Sequence, residues 1–196
     1  VNPQPIPSAR RALVVARVAL DLMPRATPLA LHCAIFDADI AHADEYGRQI
    51  YGERWRVDWS GPRGCVIDGL LNRDPVTLSQ IDEPDRRIIC EIGFAQGGTV
   101  IDLQPAIDKM RMISNRRDET RTPTESLSES EYEVLSAACR AVPMGDRAIL
   151  EHLVWHAAVR RSNGFQIEPC DMIDPTNPKH EERTRAIAET SACTFY

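Results

Sequence analysis

The chain has no run of eighteen apolar residues, so nothing in it reads as a helix able to span a membrane. Its six cysteines (Cys33, Cys65, Cys90, Cys139, Cys170 and Cys193) are scattered, with no Cys-x-x-Cys pair. That argues against a zinc ribbon and a secreted disulfide scaffold, and leaves buried or incidental thiols as the reading. There is no Gly-x-Ser-x-Gly elbow, no phosphate-binding glycine loop and no dinucleotide fingerprint. Basic charge is not in excess: 29 Asp and Glu face 23 Lys and Arg. This argues against a nucleic-acid surface over the whole chain, though not against a local basic patch. The opening Val-Asn-Pro-Gln-Pro-Ile-Pro lacks the basic-then-apolar order of a secretion signal, and the expected location is the cytoplasm.

A chain of 196 residues suits one domain with a real core, or a domain and a tail. The proline alternation over residues 1–8 reads as extended. Ser8 caps an expected helix to Met23, stopped by Pro24, whose broad apolar set (Leu13, Ala16, Leu20 and Met23, flanked by Val15, Val18, Ala19 and Leu22) makes it the expected central helix. Thr27-Pro28 opens a second helix with Leu29, Cys33, Phe36, Ile40 and Ala43 on one face and Asp37, Asp44 and Glu45 outward. Gly47 ends it, and Pro62 is placed in the first turn of a third helix reaching Leu71.

Further along, the period changes. Residues 88–92 and 99–103 flank Gly97-Gly98 as a hairpin, and residues 110–123 read as a basic, polar loop. Ser128-Glu-Ser-Glu131 is a capping-box signature for a helix to about Val142. Asp146 is placed as the cap of the next helix, which carries Ile149, Leu153, His156 and Ala157 and ends at Ser-Asn-Gly164. Residues 165–167 read as extended and 169–173 as a short turn. A tail helix restarts at Asn177-Pro178 and, with only Ala186, Ile187 and Ala188 as an apolar patch, is expected to be peripheral.

One pattern stands out between Cys33 and Leu71: Phe36, Asp39, His42, Tyr46, Gly47, Arg48, Ile50 and Gly52 in fixed order, then Gly61-Pro62. It resembles the Panacea domain of SocA-like antitoxins and related phage-associated proteins. Two positions depart from that pattern, Gln49 where the family usually has proline and Arg63 where it usually has valine. Leu127-Ser-Glu-Ser130, His156 and Asp171-Met172 are similar to the family in order and spacing. The expected fold is therefore α+β, a predominantly helical single domain with a small β-hairpin. Residues 1–8 form an N-terminal extension, 9–174 the Panacea-like domain and 175–196 a helical tail.

Two groups of residues invite a catalytic or metal reading. His152 and His156 are four apart on a helix, a spacing that lets two imidazoles share a metal. The metalloprotease order His-Glu-x-x-His is not present, because Glu151 precedes the first histidine. His156 is read as a packed or hydrogen-bonded core residue. Asp39 and His42, with Asp37 nearby, are close enough for an ion pair or a metal, but the sequence identifies no third ligand, and a structural hydrogen bond is the favoured reading. No catalytic residue, metal or cofactor is assigned. The alternative is a metal-dependent or other enzyme using Asp39, His42 and His156.

Tyr51, Arg54, Trp55, Arg56, Trp59 and Arg63 interleave aromatics with arginines, the types that dominate protein interfaces. The competing reading buries Tyr51, Trp55 and Trp59 in the core, and it can hold for one tryptophan and fail for the other. The same residue types suit single-stranded nucleic acid, against which the net acidity argues. What the resemblance implies is a cytoplasmic antitoxin that binds a cognate protein toxin and, in the SocA-like manner, delivers it to the ClpXP protease.

Overall fold

The structure, a computed structural model, describes residues 9–23, 26–50, 52, 55–71 and 127–193. The extension at 1–8, Tyr51, Arg54, the expected hairpin at 88–103 and the expected loop at 110–123 lie outside the described residues. Within them the chain is mostly helical, with one small antiparallel sheet. Helix α1 spans Ala9–Leu22 and α2 spans Pro28–Tyr46. Strands β1 (Trp55–Asp58) and β2 (Gly61–Gly64) follow, then α3 (Cys65–Leu71), α4 (Glu129–Ala141) and α5 (Asp146–Trp155). The chain continues through α6 (Ala157–Arg161), α7 (Pro169–Met172) and α8 (His180–Cys193). No described helix is long and apolar enough to cross a membrane.

The centre is α2, not α1. Thr27 caps it by accepting from the Ala30 N–H at 3.1 Å, and Pro28 fills the first turn, where a missing N–H is harmless. Leu31 to Phe36, Ala38 to Ile40, His42 and Ala43 are all buried, so almost the whole circumference is covered. It packs against α1, α4, α5, α7, α8 and β2. Asp37 and Asp44, expected to look outward, are instead covered by elements from the far end of the sequence: His152 reaches Asp37, and Asp44 accepts from the Asp174 N–H and from Asn177. Arg183 donates to the Asp44 carbonyl, and Ile187 is buried, so α8 is docked on the body while most of its described side chains stay at the surface.

Pro62 does not start a helix. It sits in β2 opposite Val57, and the helix begins three residues later at Cys65. Val57 sends its N–H away from β2, to the Phe165 carbonyl at 2.9 Å, so Pro62 occupies a register position where a donor is not required. Residues 165–167 run along the other edge of β1, with Ile167 donating to the Trp55 carbonyl and Gln166 bridged to Arg56.

Two further boundaries move. Asp146 is the first helical residue of α5, not its cap; Gly145 holds the cap position without a side-chain bond. The helix expected to run to Gly164 breaks at His156, whose backbone is extended (φ −57°, ψ 138°) and whose Nδ1 caps α6 by accepting from Ala158. The α4 capping box forms as expected, with Ser128 Oγ accepting from Glu131 N–H and Glu131 returning a carboxylate oxygen to Ser128 N–H at 2.7 Å.

Candidate functional site

The pattern around α2 builds a buried polar lock. Asp39, fully buried, accepts from the Ile50 N–H at 2.8 Å, the Trp55 indole N–H at 3.0 Å and the Gln49 amide at 3.0 Å. One carboxylate thus fixes the loop after α2 and the first residue of β1. Gln49, one of the two departures from the family pattern, takes part in that lock. His42 Nδ1 donates to the Arg48 carbonyl at 2.7 Å, its Nε2 faces Ser130 at 3.4 Å and its ring stacks obliquely on Tyr46. Burial holds the imidazole below its ordinary pKa.

Arg48 continues the lock outward to Glu131 at 2.7 Å, which Arg11 also reaches at 2.8 Å. Burial pushes the Glu131 carboxyl up, but the Ser128 N–H and the two arginines outweigh it and hold it at about 2. Phe36 packs edge-on against both Trp55 and His156. Gly47 takes the left-handed conformation that ends α2, with Arg183 close against the place a Cβ would fill. Gly61 also has positive φ (111°), and a Cβ there would lie 3.0 Å from that of Leu153, which brings the hairpin directly onto α5. Gly52, likewise at positive φ, has open space around it.

The two tryptophans part company. Trp55 is fully buried and is therefore no contact residue, a correction to its place among the interface candidates. Its indole has an internal acceptor in Asp39 and edge contacts with His32 and Phe36. Trp59, at the hairpin turn, is 91% exposed. Arg56 and Arg63 face each other across the hairpin, and Arg63 is drawn to Asp58 at 3.5 Å and Asp68 at 3.8 Å, which offsets the like-charge pairing. Two exposed aromatics that the sequence reading missed join Trp59. Trp155 ends α5, the helix under Gly61, with Arg160 over its ring, and Phe165 belongs to the segment bonded to Val57. Their exposure was not visible in sequence because it depends on how α5 and residues 165–167 dock against the hairpin.

Asp39, His42 and His156 are bonded in three different places. Asp39 serves the loop and Trp55, His42 serves Arg48 and Ser130, and His156 caps α6 while lying against Phe36. A different group converges. Cys33 and Asp37, one turn apart on α2, meet His152 from α5: the Cys33 thiol donates to Asp37 at 3.7 Å, and His152 Nε2 lies 2.8 Å and 3.0 Å from the two Asp37 oxygens. The Asp37 hydrogen bond raises the His152 pKa, while burial lowers that of His156 and, with the Asp37 charge, raises that of the Cys33 thiol. The sequence carried half of this signal, the i,i+4 pair of Cys33 and Asp37. The other half needed α5 to be known to cross there. Compared with family models, curated proteins and solved structures, the chain matches none.

Proposed function

We propose that this chain acts by binding another polypeptide through the face around the β1–β2 hairpin, as an antitoxin that neutralises a protein toxin. The observation that carries the reading is that Trp59, Trp155 and Phe165, at 91%, 69% and 79% exposure, come from the hairpin and the two segments against it, residues 165–167 bonded to β1 through backbone and α5 packed close under Gly61. Large exposed aromatics flanked by arginine are the side chains that anchor protein interfaces, burying area at little rotamer cost. Arg56, Arg63 and Arg160 beside them favour a partner face carrying carboxylates. The resemblance of the residues between Phe36 and Pro62 to SocA-like Panacea antitoxins supplies the class of partner. Asp39, His42 and Arg48 of that motif are spent on the lock, so they build the platform, and the exposed aromatics make the contact.

Co-expression with the product of the adjoining gene tests this. A complex that co-purifies and restores growth, and loses both on joint Trp59→Ala and Trp155→Ala substitution without loss of fold, supports the reading. No complex and no restored growth overturns it. Repeating the assay in cells lacking ClpXP separates delivery for degradation, where protection disappears, from steric neutralisation, where it persists.

A further inference from the structure

We infer that Cys33, Asp37 and His152 form a binding site for a zinc-class divalent cation between α2 and α5. The three donor atoms lie within 4.8 Å of one another. Around a four-coordinate zinc, donor–donor edges are roughly 3.3–3.5 Å for bond lengths of about 2.0–2.3 Å. The Cys33–Asp37 separation of 3.7 Å and the His152–Asp37 separation of 2.8 Å bracket that range, so small side-chain movements seat an ion. One thiolate, one imidazole and one carboxylate form a mixed donor set that suits zinc or cobalt and not calcium or magnesium, which take oxygen. Both helices are held independently of any ion, α2 by the core around it and α5 by Leu153 under the hairpin, so the donors are preorganised.

His156, the residue that spacing alone pairs with His152, is not a ligand. Its Nδ1 accepts from the Ala158 N–H at 3.2 Å, which places the ring proton on Nε2. That N–H faces Asp37 at 3.9 Å, the position of a group that orients a ligand from behind. Among the described residues three donors therefore converge, and water completes the shell on the side where His152 is 36% exposed. On binding, the Cys33 thiol proton leaves to solvent, while His152 gives up its Nε2 proton and carries one on Nδ1, so that a neutral imidazole offers the ion its Nε2 lone pair beside that of the thiolate. The two negative ligands then balance its charge.

The test uses the purified chain, stripped with a chelator and titrated with cobalt(II). One ion per chain, with the visible bands of a four-coordinate centre and a thiolate-to-metal charge-transfer band, is the expected result, as is displacement by zinc. Cys33→Ala removes the charge-transfer band. His152→Gln, at a half-exposed position, weakens binding by at least about 100-fold, whereas His156→Asn, which keeps the cap acceptor, changes it by no more than about 10-fold. Zinc raises the melting temperature of the native chain and not of His152→Gln. The inference is overturned by sub-stoichiometric uptake in the native chain, by binding unchanged in His152→Gln, or by His156→Asn losing the ion as completely as His152→Gln does. None of these outcomes depends on the protein partner proposed above.

Discussion

The Trp55 indole N–H donates to the buried Asp39 carboxylate at 3.0 Å, and that bond helps join the central helix to the hairpin that carries the exposed Trp59. A buried carboxylate is tolerated only when its lone pairs are taken, and Asp39 is bonded to donors from Gln49, Ile50 and Trp55. Asp39→Ala strands the Ile50 and Trp55 donors in the core. The expected loss is about 3–5 kcal/mol, from two unsatisfied groups at roughly 1–3 kcal/mol each and the broken charged bonds. Urea denaturation followed by tryptophan fluorescence measures it. A change below about 1 kcal/mol would mean that the donors find other acceptors and that Asp39 does not hold the hairpin.

The lock also makes stability depend on acid in a defined window. Glu131 is held at about 2 in the folded chain against an ordinary 4.5. A carboxyl whose folded pKa is depressed contributes stability above its unfolded value, and that contribution is lost as pH falls through the folded value. The shift corresponds to about 3 kcal/mol, present above pH 4.5 and fading towards pH 2. Glu131→Gln removes it: the difference in unfolding free energy between native chain and variant is largest at neutral pH and narrows on acidification through that window. A difference that stays constant with pH contradicts the assignment.

How much of this was legible in the sequence follows the range of the interactions. The cap at Thr27, the stop at Gly47 and the box between Ser128 and Glu131 are local, formed between residues within a few positions, and they appear where the pattern put them. Pro62 was misplaced because Gly-Pro before an apolar stretch reads equally as a helix start or an edge strand. What decides it is Val57 turning its N–H to Phe165, more than a hundred residues away. The outward reading of Asp37 and Asp44 failed for the same reason. Helix α2 is enclosed by α5, α8 and residues 174–177, whose arrival no i,i+4 pattern announces. The pairing of His152 with Asp37 rather than with His156 is likewise a product of that crossing, together with the backbone break at His156.

The two tryptophans give opposite expectations for one substitution. Trp55→Ala removes a fully buried ring and an internal hydrogen bond, and the expected loss of stability is about 3–5 kcal/mol. Trp59→Ala removes a ring that is 91% exposed, so stability should move by no more than about 0.5 kcal/mol. Its effect belongs to partner binding, where loss of an aromatic anchor is worth about 2 kcal/mol or more, a weakening of roughly 30-fold. Thermal melts and a pull-down of the co-expressed partner read the two quantities separately. A Trp59→Ala chain that unfolds early would place that ring in the fold and not at an interface.

Gly61 sets how closely the hairpin approaches α5. Its φ of 111° lies where side chains are strained, and an added Cβ would come within 3.0 Å of the Leu153 Cβ, a fully buried residue on a helix that cannot give way cheaply. Gly61→Ala should therefore lift the hairpin from α5 or twist β2, at about 2–3 kcal/mol. Gly52→Ala supplies the control: φ is 75° there but nothing lies within 4 Å, so only the backbone strain of about 1 kcal/mol remains. Because Trp59 and Trp155 sit on the two elements that Gly61 brings together, Gly61→Ala is expected to weaken the partner as well, at temperatures where the chain is still folded. Gly52→Ala is expected to leave partner affinity within about two-fold, a bound set by a separation that it does not touch. Equal losses of affinity in the two variants would mean that the spacing between hairpin and α5 is not what the partner reads.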